Sequence, residues 1–167
     1  ASFRESRRAT GAFFADLDRD GVVEALTTHR EWQANQWVSA PYTAAMTDLA
    51  LRASPLRSGT EVFSATPFDF DDDADLDVYV CSFRWSNLLH RNDGAGRFRT
   101  VPGAAGMASD AASIAALPAD ADGDGDLDLY VTNVGSQANH MYVNDPGAGP
   151  ARFVDRAAAW GLAGAEN

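Results

Sequence analysis

An all-β fold of three tandem sheet units, each built around an acidic loop, follows from three observations in the sequence. Acidic residues are clustered, the clusters recur at a near-constant interval, and each one runs straight into an apolar, mostly strand-forming stretch without helical periodicity. Four, six and five of the 24 acids fall in the nine-residue windows 16–24, 69–77 and 120–128. The first acids of the windows, Asp16, Asp69 and Asp120, are 53 and 51 residues apart. Asn35, Asn87 and Asn139 follow them at offsets of 19, 18 and 19, so the register is kept beyond the acids. The repeat units run over about 10–60, 61–111 and 112–163.

The elements of one unit follow in order. Phe13 to Phe14 and Ser113 to Leu117 read as strands approaching the loop. Leu76 to Phe83 and Leu127 to Val134 read as strands leaving it, rich in Val, Tyr and Phe. A polar turn leads to a third short run, Leu88 to Arg91 or Met141 to Val143. The sequence NDG at 92–94, or NDPG at 144–147, then reverses the chain into Phe98 or Phe153, because Asn and Gly accept the positive φ of tight turns. Three or four short strands per roughly 50 residues is the count of a β-propeller blade, so the chain reads as three tandem blades of an incomplete propeller. The first unit is degenerate after Asn35, where QWVSAPYTAAMTDLALRAS lacks the NDG turn and has room for an insertion or a short helix. The chain begins without Met and stops at GLAGAEN without a closing element, which reads as a segment of a larger protein.

The loops define the chemistry. In the third, Asp120, Asp122 and Asp124 alternate, Gly125 permits a sharp turn, and Asp126 and Asp128 follow. Alternating carboxylates in a tight loop converge on one point and make a cage for a hard cation. Calcium, which takes six to eight oxygens at about 2.3–2.6 Å with tolerant geometry, suits such a loop better than magnesium. By analogy with calcium loops of this spacing, Asp120, Asp122, Asp124 and Asp128 ligate through side chains and Asp126 through its carbonyl. The second loop offers Asp69, Asp71, Asp73 and Asp77 with the carbonyl of Asp75, but has Ala74 where glycine is easiest. The first offers Asp16, Asp18 and Asp20 with Glu24 at the ninth place and the carbonyl of Val22. A strand and not a helix follows each loop, which excludes an EF-hand.

Composition sets further bounds. A net charge of −11 disfavours a nucleic-acid partner and favours a divalent cation. No apolar run is long enough for a membrane helix, and no signal peptide is present in this segment. The basic residues are all Arg, and the lone Cys81, in VYVCSF, reads as a buried small residue. No GxSxG, HExxH or P-loop pattern occurs, so no catalytic residue is assigned and the chain is read as a non-enzyme. His29, His90 and His140 stand at unequal offsets and read as loop residues. Trp32, Trp37, Trp85 and Trp160 read as core or inter-unit packing, with stacking on sugars as the alternative.

The segments DADGDGDLDLYVTN, NHMYVND, GxGxxRF and FVDRAAAWGLAG resemble FG-GAP/VCBS repeats, the blades of integrin α-subunit propellers and of many secreted bacterial proteins. The last segment is most similar to the cartilage acidic protein and its ASPIC/UnbV relatives. The resemblance implies a propeller of about seven blades with calcium bound by the loop carboxylates of each. It also implies an extracellular, periplasmic or cell-surface location. The expected role is a structural or adhesive scaffold whose partner, another protein or a glycan, docks on propeller-face loops. The alternatives are the support of a secreted enzyme, a carbohydrate-binding propeller, and self-association of the open stack.

Overall fold

The computed structural model of the chain describes residues 9–29, 36–39, 62–83, 85–94, 97–148 and 152–164. Asn35, Trp32 and the degenerate stretch from residue 40 to 61 lie outside the described residues. The all-β expectation holds: the described residues form three antiparallel meanders, and these close neither a barrel nor a ring. The first contains β1 (Ala9–Ala15), β2 (Glu24–His29) and β3 (Gln36–Ser39). The second contains β4 (Val62–Phe68), β5 (Asp77–Ser82), β6 (Leu88–Asn92) and β7 (Phe98–Thr100). The third contains β8 (Ser113–Ala119), β9 (Asp128–Asn133), β10 (His140–Asn144) and β11 (Phe153–Asp155), followed by one helical turn, α1 (Ala157–Trp160).

The sheets are copies of one plan down to their irregularities. A register shift interrupts each first pairing at the same place, between Ala9 and Gly11, between Val62 and Ser64, and between Ser113 and Ala115. Pro67 and Pro118 occupy equivalent places in β4 and β8. Each is tolerated because its strand is the edge of its sheet, where a missing N–H breaks no ladder. The NDG reversal is built as expected: Gly94 has φ of 82°, its N–H donates to Asn92 Oδ1, and Asp93 N–H donates to Arg97 O.

β5 is buried along its whole length, with Val78 and Val80 on one face and Tyr79 and Cys81 on the other, so the middle sheet has two apolar faces and the outer sheets stack to cover them. Leu26, Val62, Val78 and Val80 fill the space between the first and second sheets. Phe68, Phe70, Tyr79 and Leu89 meet Leu129, Val131, Tyr142 and Phe153 between the second and third. Each fully buried side chain of this size contributes roughly 1.5–3 kcal/mol, so the stacking holds the sheets in register with one another. Side-chain bonds pin the first strands as well: Thr28 Oγ1 donates to Phe63 O and Thr66 Oγ1 to Ala116 O. Cys81 is buried in this core, as expected, and burial pushes its thiol up to about 11.

One connection breaks the local rule. Residues 103–105, between β7 and β8, take left-handed backbone values with φ of 60°, 46° and 54°, although two of them are alanines. Ala104 and Ala105 are buried against the second core, and that packing offsets a cost of roughly 1–2 kcal/mol for each non-glycine residue.

Candidate metal centres

Each acidic loop connects the first two strands of its sheet, and its own carboxylates fold it. The first-place Asp accepts backbone N–H bonds from across the turn: Asp16 Oδ2 from Gly21, Asp69 Oδ2 from Ala74, Asp120 Oδ1 from Gly123. The fifth-place Asp accepts the N–H two residues on: Asp20 from Val22, Asp73 from Asp75 and Asp124 from Asp126. At the sixth place Gly21, Ala74 and Gly125 all have positive φ, of 85°, 68° and 100°, so Ala74 adopts the strained conformation the sequence implied. Carboxylate oxygens from the first, third and ninth places converge in every loop. They belong to Asp16, Asp18 and Glu24; to Asp69, Asp71 and Asp77; and to Asp120, Asp122 and Asp128, and lie within 4.8 Å of one another in each set.

The ninth place differs from the others in being buried: Glu24, Asp77 and Asp128 are at most 2 % exposed. These carboxylates hold the loop to the sheet. Asp77 accepts from Phe70 N–H at 3.0 Å and Asn92 N–H at 2.8 Å, and Asp128 accepts from Ala121 N–H at 2.8 Å and Asn144 N–H at 2.9 Å. Glu24 accepts from Leu17 N–H at 2.7 Å. The asparagines that donate to Asp77 and Asp128 also reach the preceding loop, Asn92 Nδ2 to Leu17 O at 2.7 Å and Asn144 Nδ2 to Phe70 O at 3.2 Å. A buried chain of hydrogen bonds therefore runs through all three loops.

The electrostatics favour a cation. Two like charges 4.8 Å apart repel by roughly 3–4 kcal/mol at an effective dielectric of about 20. Desolvation pushes the Asp77 carboxyl up to about 7, against the pull of its two backbone donors, and the charges of Asp71 and Asp73 add to the rise. Desolvation also raises Glu24 and Asp71, offset at Asp71 by Arg91. Asp122 is raised by desolvation and by the charges of Asp124 and Asp128. Asp16 Oδ1, Glu24 Oε1 and Asp71 Oδ1 are buried and have no hydrogen-bond partner among the described residues. Orphaned hard oxygens beside other carboxylates fit a divalent cation, and these clusters could hold one.

The convergent sets include Asp16, Asp18, Glu24, Asp69, Asp71, Asp77, Asp120, Asp122 and Asp128 of the expected ligands, but not the fifth-place Asp20, Asp73 and Asp124. Those three lie in the same loops, folded back onto the seventh residue. Val22, Asp75 and Asp126, assigned carbonyl ligands, occupy that seventh place. Two features had escaped the sequence reading. Arg91, at the end of β6, places Nε 2.9 Å from Asp71 Oδ2 and Nη2 2.8 Å from Asp73 Oδ2. Arg19, in the first loop, lies 3.3 Å from Asp75 and donates to Ala74 O.

Other expectations are corrected. The histidines are strand residues: His29 ends β2, His90 lies in β6 and His140 starts β10. Their offsets differ because their places differ: His29 is on the second strand of its sheet, and of the two on third strands His90 corresponds in register to Tyr142 and not to His140. His90 is buried, its Nε2 has no hydrogen-bond partner among the described residues, and desolvation lowers its pKa to about 4. Trp85 and Trp160 are 61 % and 41 % exposed, so neither is core. Trp160 lines a groove of about 220 Å³ beside the third loop, with Asp122, Asp124, Asp145 and Arg156.

An all-β stack of antiparallel meanders with an acidic, cation-competent loop in each defines the class of this chain. The FG-GAP-like repeat family matches residues 69–131, from the first acid of the second loop into β9, so that span is similar to an FG-GAP-like repeat. A search of curated proteins finds no match to the chain. Among the described residues, no helix is long and apolar enough to cross a membrane.

Proposed function

We propose that the three sheets are blades of a calcium-stabilised propeller scaffold. The observation that carries this reading is the threefold recurrence of one geometry, with carboxylates from the first, third and ninth places meeting in every loop. Calcium fits the all-oxygen donor set, and its charge relieves repulsion that the fold otherwise bears. A cation held by the native loops and not by the unfolded chain stabilises by mass action. Millimolar calcium is an extracellular condition, which agrees with a secreted, periplasmic or cell-surface scaffold that binds another protein or a glycan through its loops. The scaffold has no catalytic role in this reading. The exposed Trp160 beside Asp122 and Asp124 favours a glycan as the second reading of the partner, since an indole face stacks on a sugar ring.

Calorimetric titration of chelator-stripped protein with calcium tests the scaffold, with melting followed at each calcium level. Two or three sites and a rising melting temperature are expected, with Asp122→Ala and Asp71→Ala each removing one site. No heat up to millimolar calcium would refute the reading.

A further inference from the structure

The three loops differ in what neutralises them. In the middle loop the third- and fifth-place carboxylates already face a cation, the guanidinium of Arg91. Its Nη2 donates to Asp73 at 2.8 Å, and its Nε makes an ion-pair contact of 2.9 Å with Asp71 that is not a directed hydrogen bond. Arg91 is half-buried and follows His90, the partner of Val78, so it lies beside the ninth-place Asp77. The corresponding place in the third sheet is Val143, which follows Tyr142, the partner of Leu129. In the first sheet it is Ser39, paired with Glu24. Among the described residues, no guanidinium lies within ion-pairing distance of Asp18, Asp20, Asp122 or Asp124. Arg19 adds a second positive charge to the middle loop, at Asp75.

We propose that Arg91 is a resident counter-ion of the middle loop, which competes with a metal ion for Asp71 and Asp73 and makes this loop the last of the three to fill. The proposal rests on the calcium reading above. A guanidinium stays charged at any pH the protein survives, so acid or base does not remove the competitor, and only displacement does. Metal entry therefore breaks two ion pairs in the middle loop and none in the third. Ala74 adds to the difference, since this loop lacks the glycine of the other two at the turn. The consequence is a graded set of sites. The middle loop is partly neutralised by the chain itself and keeps its shape at low calcium, whereas the outer two depend on the ion.

The test is calcium calorimetry on the intact chain, comparing wild type with R91V, which installs the side chain found in the third repeat, and with R91K. R91V is expected to tighten the weakest binding step about tenfold, equivalent to about 1.4 kcal/mol. It should also lower the melting temperature in chelator while raising it more steeply with calcium. R91K, which keeps the charge but loses the planar fork, is expected between the two. Adding Asp71→Asn to R91V should abolish the tightened step and so place it in the middle loop. If calcium binds but R91V leaves every step unchanged, or tightens a step that survives Asp71→Asn, the proposal is wrong. If neither wild type nor R91V binds calcium, the calcium reading has failed and the proposal falls with it.

Discussion

Replacing His90 by Leu should abolish a loss of stability that wild type suffers in weak acid. His90 is 1 % exposed and shares a sheet face with Val78, its cross-strand partner, in the core between the first two sheets. Among the described residues its imidazole has one hydrogen-bond contact, Nδ1 with Thr100 Oγ1 at 3.2 Å. Burial lowers its pKa from 6.5 to about 4, so between those values the unfolded chain binds a proton that the folded chain refuses. Stability then rises with pH across the window 4 to 6.5 and is lost as the solution is acidified. Moving from pH 7.5 to 4.5 costs wild type about 2.5 kcal/mol through this group, or roughly 5–10 °C in melting temperature. Asp77, whose folded pKa is raised from 3.8 to about 7, acts with the opposite sign in metal-free protein: the folded chain takes up the extra proton, so acidification stabilises. The wild-type curve alone is therefore flattened by compensation, and the informative quantity is the difference between wild type and His90→Leu, in which Asp77 cancels. Urea unfolding in chelator at pH 7.5 and 4.5 measures it. The variant should be within about 1 kcal/mol of wild type at pH 7.5, where only the Thr100 bond is lost, and about 2.5 kcal/mol better in relative terms at pH 4.5. A difference constant to about 0.5 kcal/mol across the two pH values would refute the burial argument.

Five further substitutions probe the frame around the sites. Asn92→Ala and Asn144→Ala each remove buried side-chain bonds that tie one repeat to the loop before it. Each should cost about 2–4 kcal/mol in urea unfolding, and a loss under 1 would mean the asparagines are only local turn residues. Ala74→Gly relieves a left-handed alanine at φ of 68° and should gain about 0.5–1 kcal/mol in chelator, whereas a loss would show that the loop needs the methyl group. Gly106→Ala would place a Cβ 2.4 Å from Phe153 O at φ of 100° and should cost about 2–4 kcal/mol. Gly135→Ala, with φ of 69° and no atom near, should cost only about 1 kcal/mol; equal losses at the two glycines would remove the steric argument.

Sequence alone carried the all-β class, the loop positions and most strand cores, because alternation and acidic spacing are local properties. Leu76 to Phe83 and Leu127 to Val134 contain β5 and β9, each with one residue to spare at either end. What failed depends on partners distant in the chain. The histidines look like loop residues because their offsets differ, yet a residue at a non-equivalent place can still belong to a strand, and pairing with Val78 and Val131 puts His90 and His140 in β6 and β10. Arg91 gave no sign of its role, because Asp71 and Asp73 lie 18 to 20 residues earlier and meet it only after β5 and β6 pair. The asparagines of the NDG and NDPG turns were read for their backbone freedom alone. Their recurrence before equivalent reversals was the one available hint of a second task.

That second task explains why the ninth acid is buried while the first and third are not. Glu24, Asp77 and Asp128 face two ways: each has an oxygen in the convergent cluster and each fixes the backbone of its own loop. Asp128 orients Asn144, Asn144 bonds the carbonyl of Phe70, and the N–H of Phe70 bonds Asp77. The same step from Asp77 through Asn92 to Leu17 ends at Glu24. Removing any of these three side chains would weaken a bond to a neighbouring repeat as well as the cluster itself. In these loops, cation affinity and the stacking of the sheets draw on the same three side chains, so conditions that strip one are expected to loosen the other.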